Sequence, residues 1–282
     1  MPNNIILNRP LCDYITITSF EANAYNIFRG FLMDAEAQIG KMAEHFLMQY
    51  VGLQAESYLG GHAFVGSARI KDRMNAMLSV SGRVAHVALR WILNNINFEF
   101  NTTRIDLQMT CEQLEWNQKE AERSIEDNGK MVSKLASKTG MTLYIGSWSS
   151  DRFTRIYEKK SDDGQKLIRF ESVFKKQSAP SIMTELKRED MKMDDIIGNI
   201  LKARVIGSDY VTSFWLPKFS RFRELKIKSV KVGGNTEKWL RETVLPSLSK
   251  YAFSHDADHF LLQEFQKVIN YAVGWGDGDN HD

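Results

Sequence analysis

The chain of 282 residues is poor in cysteine and proline, with 2 and 5 residues respectively, and it has no long apolar run. Its cysteines, Cys12 and Cys111, cannot make the disulfide framework of a small secreted protein, so we expect reduced thiols in a cytoplasmic protein. No window approaches the about 18 uncharged apolar residues that span a membrane. The first residues lack the basic start and apolar run of a signal peptide, so no membrane contact is expected.

Several catalytic motifs are also missing. The glycine pairs at 60–61 and 233–234 do not continue to Gly-Lys-Ser/Thr, so no ATP-hydrolysing phosphate loop is expected. No Gly-x-Ser-x-Gly elbow or Cys/His dyad spacing occurs, which argues against hydrolases of those types. None of the six histidines lies in a His-hydrophobic-His pair, so carboxylates are the better candidates for metal ligands.

The composition is that of a folded protein, because 43% of the residues are hydrophobic and 11% are aromatic. This length can bury a large core, and we predict a single domain over residues 1–282. The best place for a subdomain boundary is near residue 100. Residues 274–282 are predicted to be a frayed tail.

Charge is unevenly distributed, although 37 Lys and Arg nearly balance 35 Asp and Glu. Residues 106–127 are acidic, whereas residues 152–176 and 217–250 are basic. Each basic block is either a solvated face or a surface for a phosphate backbone.

Hydrophobic periodicity predicts the secondary structure. Strands are predicted at 14–18, 63–70, 74–81, 102–110, 141–147, 152–159, 166–175 and 224–232. Helices are predicted at 20–50 with a break near Gly40, and at 84–94, 115–137, 182–203, 236–252 and 258–272. Because hairpin strands alternate with long helices, we predict an α+β fold, a mainly antiparallel sheet with flanking helices.

Three of the predicted strands carry polar side chains on alternate positions. Side chains alternate across a strand, so each of these strands has one polar face. The polar sets are Arg104, Asp106 and Gln108; Arg155, Tyr157 and Lys159; and Arg169, Glu171 and Lys175.

A single polar sheet face would gather Asp106, Glu171 and Tyr157 if the three strands share one sheet. Two carboxylates can bind Mg²⁺ or Mn²⁺ through oxygen, and a tyrosine beside that cation is a candidate nucleophile toward a phosphodiester. The alternative is an ordinary exposed face with Arg–Glu cross-strand pairs, in which Tyr157 is a strand aromatic.

The sequence around these residues resembles that of the Rep_trans family of rolling-circle replication initiators of plasmids and filamentous phages. This family is related to some relaxases. LYIGSWSSDRFTRIYEK (143–159) resembles the motif with that family's active-site tyrosine. Other matching segments are CDYITIT (12–18), MLSVSGRVAHV (77–87), TRIDLQMT (103–110), IRFESVFK (168–175) and VGGNTEKWLRETVLPSL (232–248).

The resemblance implies a site-specific nickase. Tyr157 would attack a phosphodiester at the replication origin, at a hairpin or single-stranded nick site, and form a 5′-phosphotyrosine link. The freed 3′-OH would prime the host polymerase, assisted by a host helicase. Asp106 and Glu171 would hold the divalent metal, Mg²⁺ or Mn²⁺. Catalytic or DNA-contacting roles would fall to Arg104, Trp148, Arg152, Arg155, Lys159, Arg169 and Lys175.

The chain departs from the family pattern at three positions. One is Val173, which follows Glu171 on the same face in place of an acid, so a Glu-x-Glu metal site is absent. Thr110 stands where a second acid is common, so Glu112 or Asp13 would serve if a third ligand is needed. Trp148 stands where a basic residue is common, and it either stacks on an unpaired base or packs.

Two other functions stay open at this point. The first is a non-catalytic origin-binding protein or repressor on the same scaffold. The second is a relaxase for conjugative transfer. A homodimer is compatible with each of them.

Overall fold

A computed structural model describes residues 7–39, 47–50, 53–70, 72–113, 116–127, 132–137, 140–161, 164–205, 209–223 and 225. They all belong to one compact unit, residues 1–230. The elements predicted at 224–232, 236–252 and 258–272, and the tail at 274–282, lie outside these residues apart from Leu225. The single domain and the boundary near residue 100 stay predictions.

One ten-stranded sheet organises the fold, in the order β2-β3-β4-β5-β1-β6-β10-β9-β8-β7. Every neighbouring pair is antiparallel, which confirms the predicted α+β class. The strands are β1 Leu11–Ser19, β2 Leu47–Tyr50, β3 Leu53–Tyr58, β4 Ala63–Ile70, β5 Arg73–Ser81, β6 Asn101–Glu112, β7 Val132–Ser137, β8 Gly140–Ile145, β9 Arg152–Lys160 and β10 Lys166–Lys175.

The helices share their apolar core with one face of this sheet. They are α1 Ala24–Ile39, α2 Arg83–Asn95, α3 Gln118–Asp127, α4 Ser178–Leu186, α5 Met193–Lys202 and α6 Asp209–Trp215. Strand residues such as Ile105 and Phe170 lie in the same core cluster as Phe28 of α1 and Trp215 of α6. We call this side the helix face. Within the described residues, no helix is long and apolar enough to cross a membrane.

Three predicted helices are wrong in part. Residues 47–50 form β2, because pairing with β3 outweighs the helix propensity of Leu and Met. Among the described residues of the helix predicted at 115–137, α3 is helical, and residues 132–137 pair with β8.

The helix predicted at 182–203 is two helices, α4 and α5. The chain between them carries Arg188, which donates hydrogen bonds to Asp190 over 3.1 and 2.7 Å. α5 then begins anew with Asp194 and Asp195 in its first turn, where the helix dipole favours acidic residues.

We predict that Gly198→Ala destabilises the protein. A Cβ at Gly198 would lie 2.3 Å from ring atoms of Phe222, which is buried, so the ring would have to move. Overpacking of this kind costs about 1–3 kcal/mol in the free energy of unfolding, measured by urea denaturation. The control is Gly30→Ala in α1, where a Cβ meets nothing within 4 Å and should stabilise the helix. Equal effects of both variants would contradict the prediction.

Candidate active site

Strand register brings the predicted site residues together on the face opposite the helix face. Glu171 of β10 lies opposite Gln108 of β6 and Arg155 of β9. Two residues earlier on β10, Arg169 lies opposite Tyr157. Directly opposed residues of antiparallel strands share a face. We call this surface of β6, β10 and β9 the site face.

Glu171 is the centre of the site face and is fully buried. Its Oε2 accepts a hydrogen bond of 2.8 Å from the Tyr157 hydroxyl, and its Oε1 accepts one from Arg155 Nη2. Burial by itself raises the pKa of a carboxyl group, but the charge and hydrogen bonds of Arg155 outweigh it. The pKa of Glu171 is therefore lowered.

Asp106 lies beside this pair and is also buried. Arg104 holds both of its oxygens, with Nε 2.9 Å from Oδ1 and Nη2 2.6 Å from Oδ2. Arg155 Nη2 lies 3.7 Å from Oδ2 and so lies close to both carboxylates. Burial first, and then the charge of Glu171, raise the pKa of Asp106 to about 7 against the pull of Arg104.

The Tyr157 hydroxyl lies between a carboxylate and a guanidinium group. It donates to Glu171 and accepts a hydrogen bond of 3.3 Å from Arg169 Nη1. Burial raises the pKa of Tyr157, and the negative charge of Glu171 raises it further, while Arg169 acts in the opposite direction. The phenol therefore keeps its proton at neutral pH in this arrangement.

Arg169 is fixed by neighbours whose roles sequence reasoning did not anticipate. Its Nε donates to Thr110 Oγ1 over 2.9 Å, and that hydroxyl donates to Gln108 Oε1 over 2.9 Å. Its Nη1 also donates to Asp13 Oδ2 over 3.2 Å. Thr110, which replaces the acid expected at this position, thus orients a cation. The signal in the sequence for this role was that positions 106, 108 and 110 alternate along one strand and therefore share a face.

Of the predicted DNA contacts, Lys175 and Trp148 lie beside the site, whereas Arg152 does not. Lys175 lies opposite Arg104 on the site face, and its Nζ donates to the backbone oxygen of Trp148. Arg152 lies opposite Phe174, which belongs to the core of the helix face. The structure therefore places Arg152 on the other side of the sheet, where its charge adds to burial in lowering the pKa of Arg204 to about 10.

Lys159 lies at the other end of the site face. Burial first, and then the charge of Arg169, lower its pKa, while Asp13 and Glu171 counteract them. Of the two carboxylates considered as third metal ligands, Asp13 lies here, bonded to Arg169. Glu112 instead accepts a hydrogen bond from Gln165 over 3.1 Å at the end of β6.

The residues fit a divalent cation in donor chemistry. Asp106 and Glu171 supply the hard oxygen ligands that Mg²⁺ and Mn²⁺ prefer. A cation would oppose both causes of the raised Asp106 pKa, namely burial and the charge of Glu171. Among the described residues, no group of three or more His, Cys, Asp and Glu side chains is placed to hold a metal.

Comparisons with known proteins identify a family and a similar fold. The Rep_trans model, which describes replication initiation factors, matches residues 97–252 and so covers more than half of the chain, including Asp106, Tyr157 and Glu171. The fold is similar to a solved rolling circle replication initiator protein from Geobacillus stearothermophilus, with a TM-score of 0.53 and 15% identity. That similarity covers 78% of this chain and 99% of the other. No curated protein sequence matches the chain.

We predict that Glu171→Gln lowers the pKa of Tyr157. The substitution removes a negative charge that disfavours the tyrosinate, so the phenol should ionise at lower pH. The titration is read from the tyrosinate absorbance, as the difference between Glu171→Gln and Glu171→Gln/Tyr157→Phe, after near-ultraviolet circular dichroism has shown native packing. A pKa of Tyr157 that stays at the wild-type value or rises would contradict the electrostatic description.

Proposed function

The chain belongs to the Rep_trans family of replication initiation factors, and from this premise we propose that it starts rolling-circle replication by nicking one DNA strand at its origin. The family predicted from the motifs is thereby confirmed. One observation carries the nicking proposal: the Tyr157 hydroxyl is held at 2.8 Å from Glu171 and 3.3 Å from Arg169. The fold similarity to a rolling circle replication initiator supports it.

The proposed reaction is a transesterification. Tyr157 Oη bonds to the phosphorus and loses its proton, the bond from phosphorus to the 3′ oxygen breaks, and that oxygen takes up one proton in exchange and leaves as a 3′-OH. Glu171 orients the phenol and is the nearest acceptor for its proton. Arg169 donates to the same oxygen and stabilises the tyrosinate as it forms. The host polymerase, with a helicase, would extend the 3′-OH.

Arg155 would couple DNA binding to activation of the nucleophile. In the free protein its charge is the main cause that lowers the pKa of Glu171. Its Nε is buried without a partner among the described residues, so the group has capacity for another acceptor. A scissile phosphate that draws Arg155 away from Glu171 would free the carboxylate oxygen Oε1 for the divalent cation, while Oε2 remains the acceptor beside the Tyr157 hydroxyl. Lys159 would contact the same phosphate, and Lys175 and Arg104 the neighbouring backbone.

A divalent cation, Mg²⁺ or Mn²⁺, is part of the proposal. Asp106 and Glu171 would hold it, and it would neutralise charge that develops on the phosphate. Arg104 keeps Asp106 oriented through both carboxylate oxygens.

We predict that Tyr157→Phe abolishes nicking of supercoiled DNA that carries the origin. Without the hydroxyl no phosphotyrosine can form, so nicking should fall by at least about a thousandfold, and the protein–DNA adduct should vanish from denaturing gels. The matched control is Tyr25→Phe, because Tyr25 also donates to a carboxylate, Glu56, and lies away from the site. It should nick like the wild type.

Three outcomes of that assay would redirect the proposal. Tight origin binding without cleavage by the wild type would favour the non-catalytic origin-binding protein or repressor. Nicking that survives in Tyr157→Phe would mean that another residue is the nucleophile. Nicking confined to a transfer origin would favour the conjugative relaxase.

We predict that Asp106→Asn weakens Mn²⁺ binding at least about tenfold in calorimetric titrations, because it removes an anionic ligand. Glu112→Gln is the control, since Glu112 lies on the same strand but bonds to Gln165. It should bind Mn²⁺ like the wild type. Equal losses in both variants, or none in either, would remove Asp106 from the metal site.

A further inference from the structure

A small apolar cluster lies on the site face, apart from the main core. Its buried members are Tyr144, Phe153 and Val173. Trp148, in the loop after β8, lies against it with 56% of its surface exposed. The Trp148 and Phe153 rings are stacked, with centroids 5.6 Å apart and planes 17° apart, and the Tyr144 ring lies 5.0 Å from Trp148. We call Tyr144, Trp148 and Phe153 the aromatic platform.

Hydrogen bonds fix the loop that carries Trp148. The Ser147 and Ser149 hydroxyls are 2.7 Å apart, and Ser150 N donates to Ser147 O over 3.1 Å. From β10, Lys175 Nζ donates to the backbone oxygen of Trp148. The exposed indole is therefore held in place in the free protein, which reduces the entropy that a ligand must offset when it stacks there.

The charge around the platform complements a nucleic-acid strand. Lys175 Nζ lies 5.2 Å from the centroid of the Phe153 ring, and Lys175 lies opposite Arg104 on β6. Lys176 Nζ donates to Ser149 O over 3.3 Å, at the base of the same loop. Aromatic rings bordered by cations are the pattern by which proteins bind single strands, with bases stacked on the rings and phosphates beside the cations.

The platform is close enough to the nucleophile for one DNA strand to reach both. Phe153 and Tyr157 lie on the same face of β9, four residues apart, which is roughly 13 Å along a strand. Tyr144 lies opposite Arg155, between the two. A strand whose phosphate is at Tyr157 can therefore place a neighbouring base over Trp148.

We propose that the aromatic platform binds an unpaired base of single-stranded DNA next to the scissile phosphate, with Trp148 as the stacking surface. The proposal rests on the proposed nicking function for the position of the base, but the binding itself does not require cleavage. An unpaired base is the occupant because stacking on Trp148 needs a free base face, which a duplex does not present.

The test measures affinity for a single strand and for a duplex separately. The single-stranded probe is a fluorescein-labelled oligodeoxythymidylate of about 16 nucleotides, the upper range for one binding fold. Trp148→Ala should bind it about five- to hundredfold more weakly than the wild type, as expected for the loss of one stacked base. Trp148→Phe should retain most of the affinity. The control Val87→Ala removes an exposed apolar side chain of α2 and should change nothing.

Tryptophan emission gives a second readout. The oligonucleotide should quench the fluorescence of the wild type and of Trp91→Phe, because Trp91 stacks on Phe31 between α1 and α2. In Trp148→Phe the quenching should be lost. Thermal unfolding of each variant shows whether it is folded.

Two results would overturn the proposal: unchanged single-strand affinity in Trp148→Ala, or an equal loss for duplex and single strand. The second result would indicate a general phosphate-binding surface. Failure of the nicking function is distinguishable, since a wild type that binds the oligonucleotide through Trp148 but does not cleave origin DNA keeps the platform and loses the nickase.

Discussion

The contact of Glu171 with Arg155 and Tyr157 is the interaction on which the site depends. A fully buried carboxylate is costly unless hydrogen bonds and an opposite charge compensate it, and here both come from β9. A shift of β9 by one residue would turn Tyr157 and Arg155 to the helix face and leave the charge of Glu171 unpaired. The need to neutralise one carboxylate thus favours this strand register, and the register positions Tyr157.

The same network favours the protonated form of Tyr157. The Tyr157 pKa is raised and the Glu171 pKa is lowered, so the proton stays on the phenol until the surrounding charges change. In the proposed mechanism, the negative charge of DNA competes with Glu171 for Arg155. The reactivity of Tyr157 would thereby depend on the binding of DNA.

The sequence allowed a good prediction of the sheet and of the residues on its site face, because alternation of side chains is a local property. Alternation alone grouped Asp106, Tyr157 and Glu171 on one face, although the pairing of their strands was not known. Register itself is not local, so the Thr110–Arg169 contact could not be predicted. The helix predicted at 115–137 was wrong in part for the same reason, since pairing with β8 makes residues 132–137 a strand. Alternation along β9 does place Arg152 on the face opposite Tyr157, and its expected DNA contact came from the family resemblance.

The connectivity of the site strands has a consequence for how the protein folds. β9 and β10 are consecutive in the chain, and a hairpin of this kind closes in microseconds. Tyr157, Arg155 and Glu171 therefore come from one local unit, while Asp106 arrives on β6 through contacts about 65 residues distant in sequence. During synthesis β6 leaves the ribosome first and must wait for its partner. The ion pair of Glu171 and Arg155, with Tyr157, can thus form before Asp106 packs against it. Asp106 and Glu171 therefore need not approach each other before Arg155 is in place.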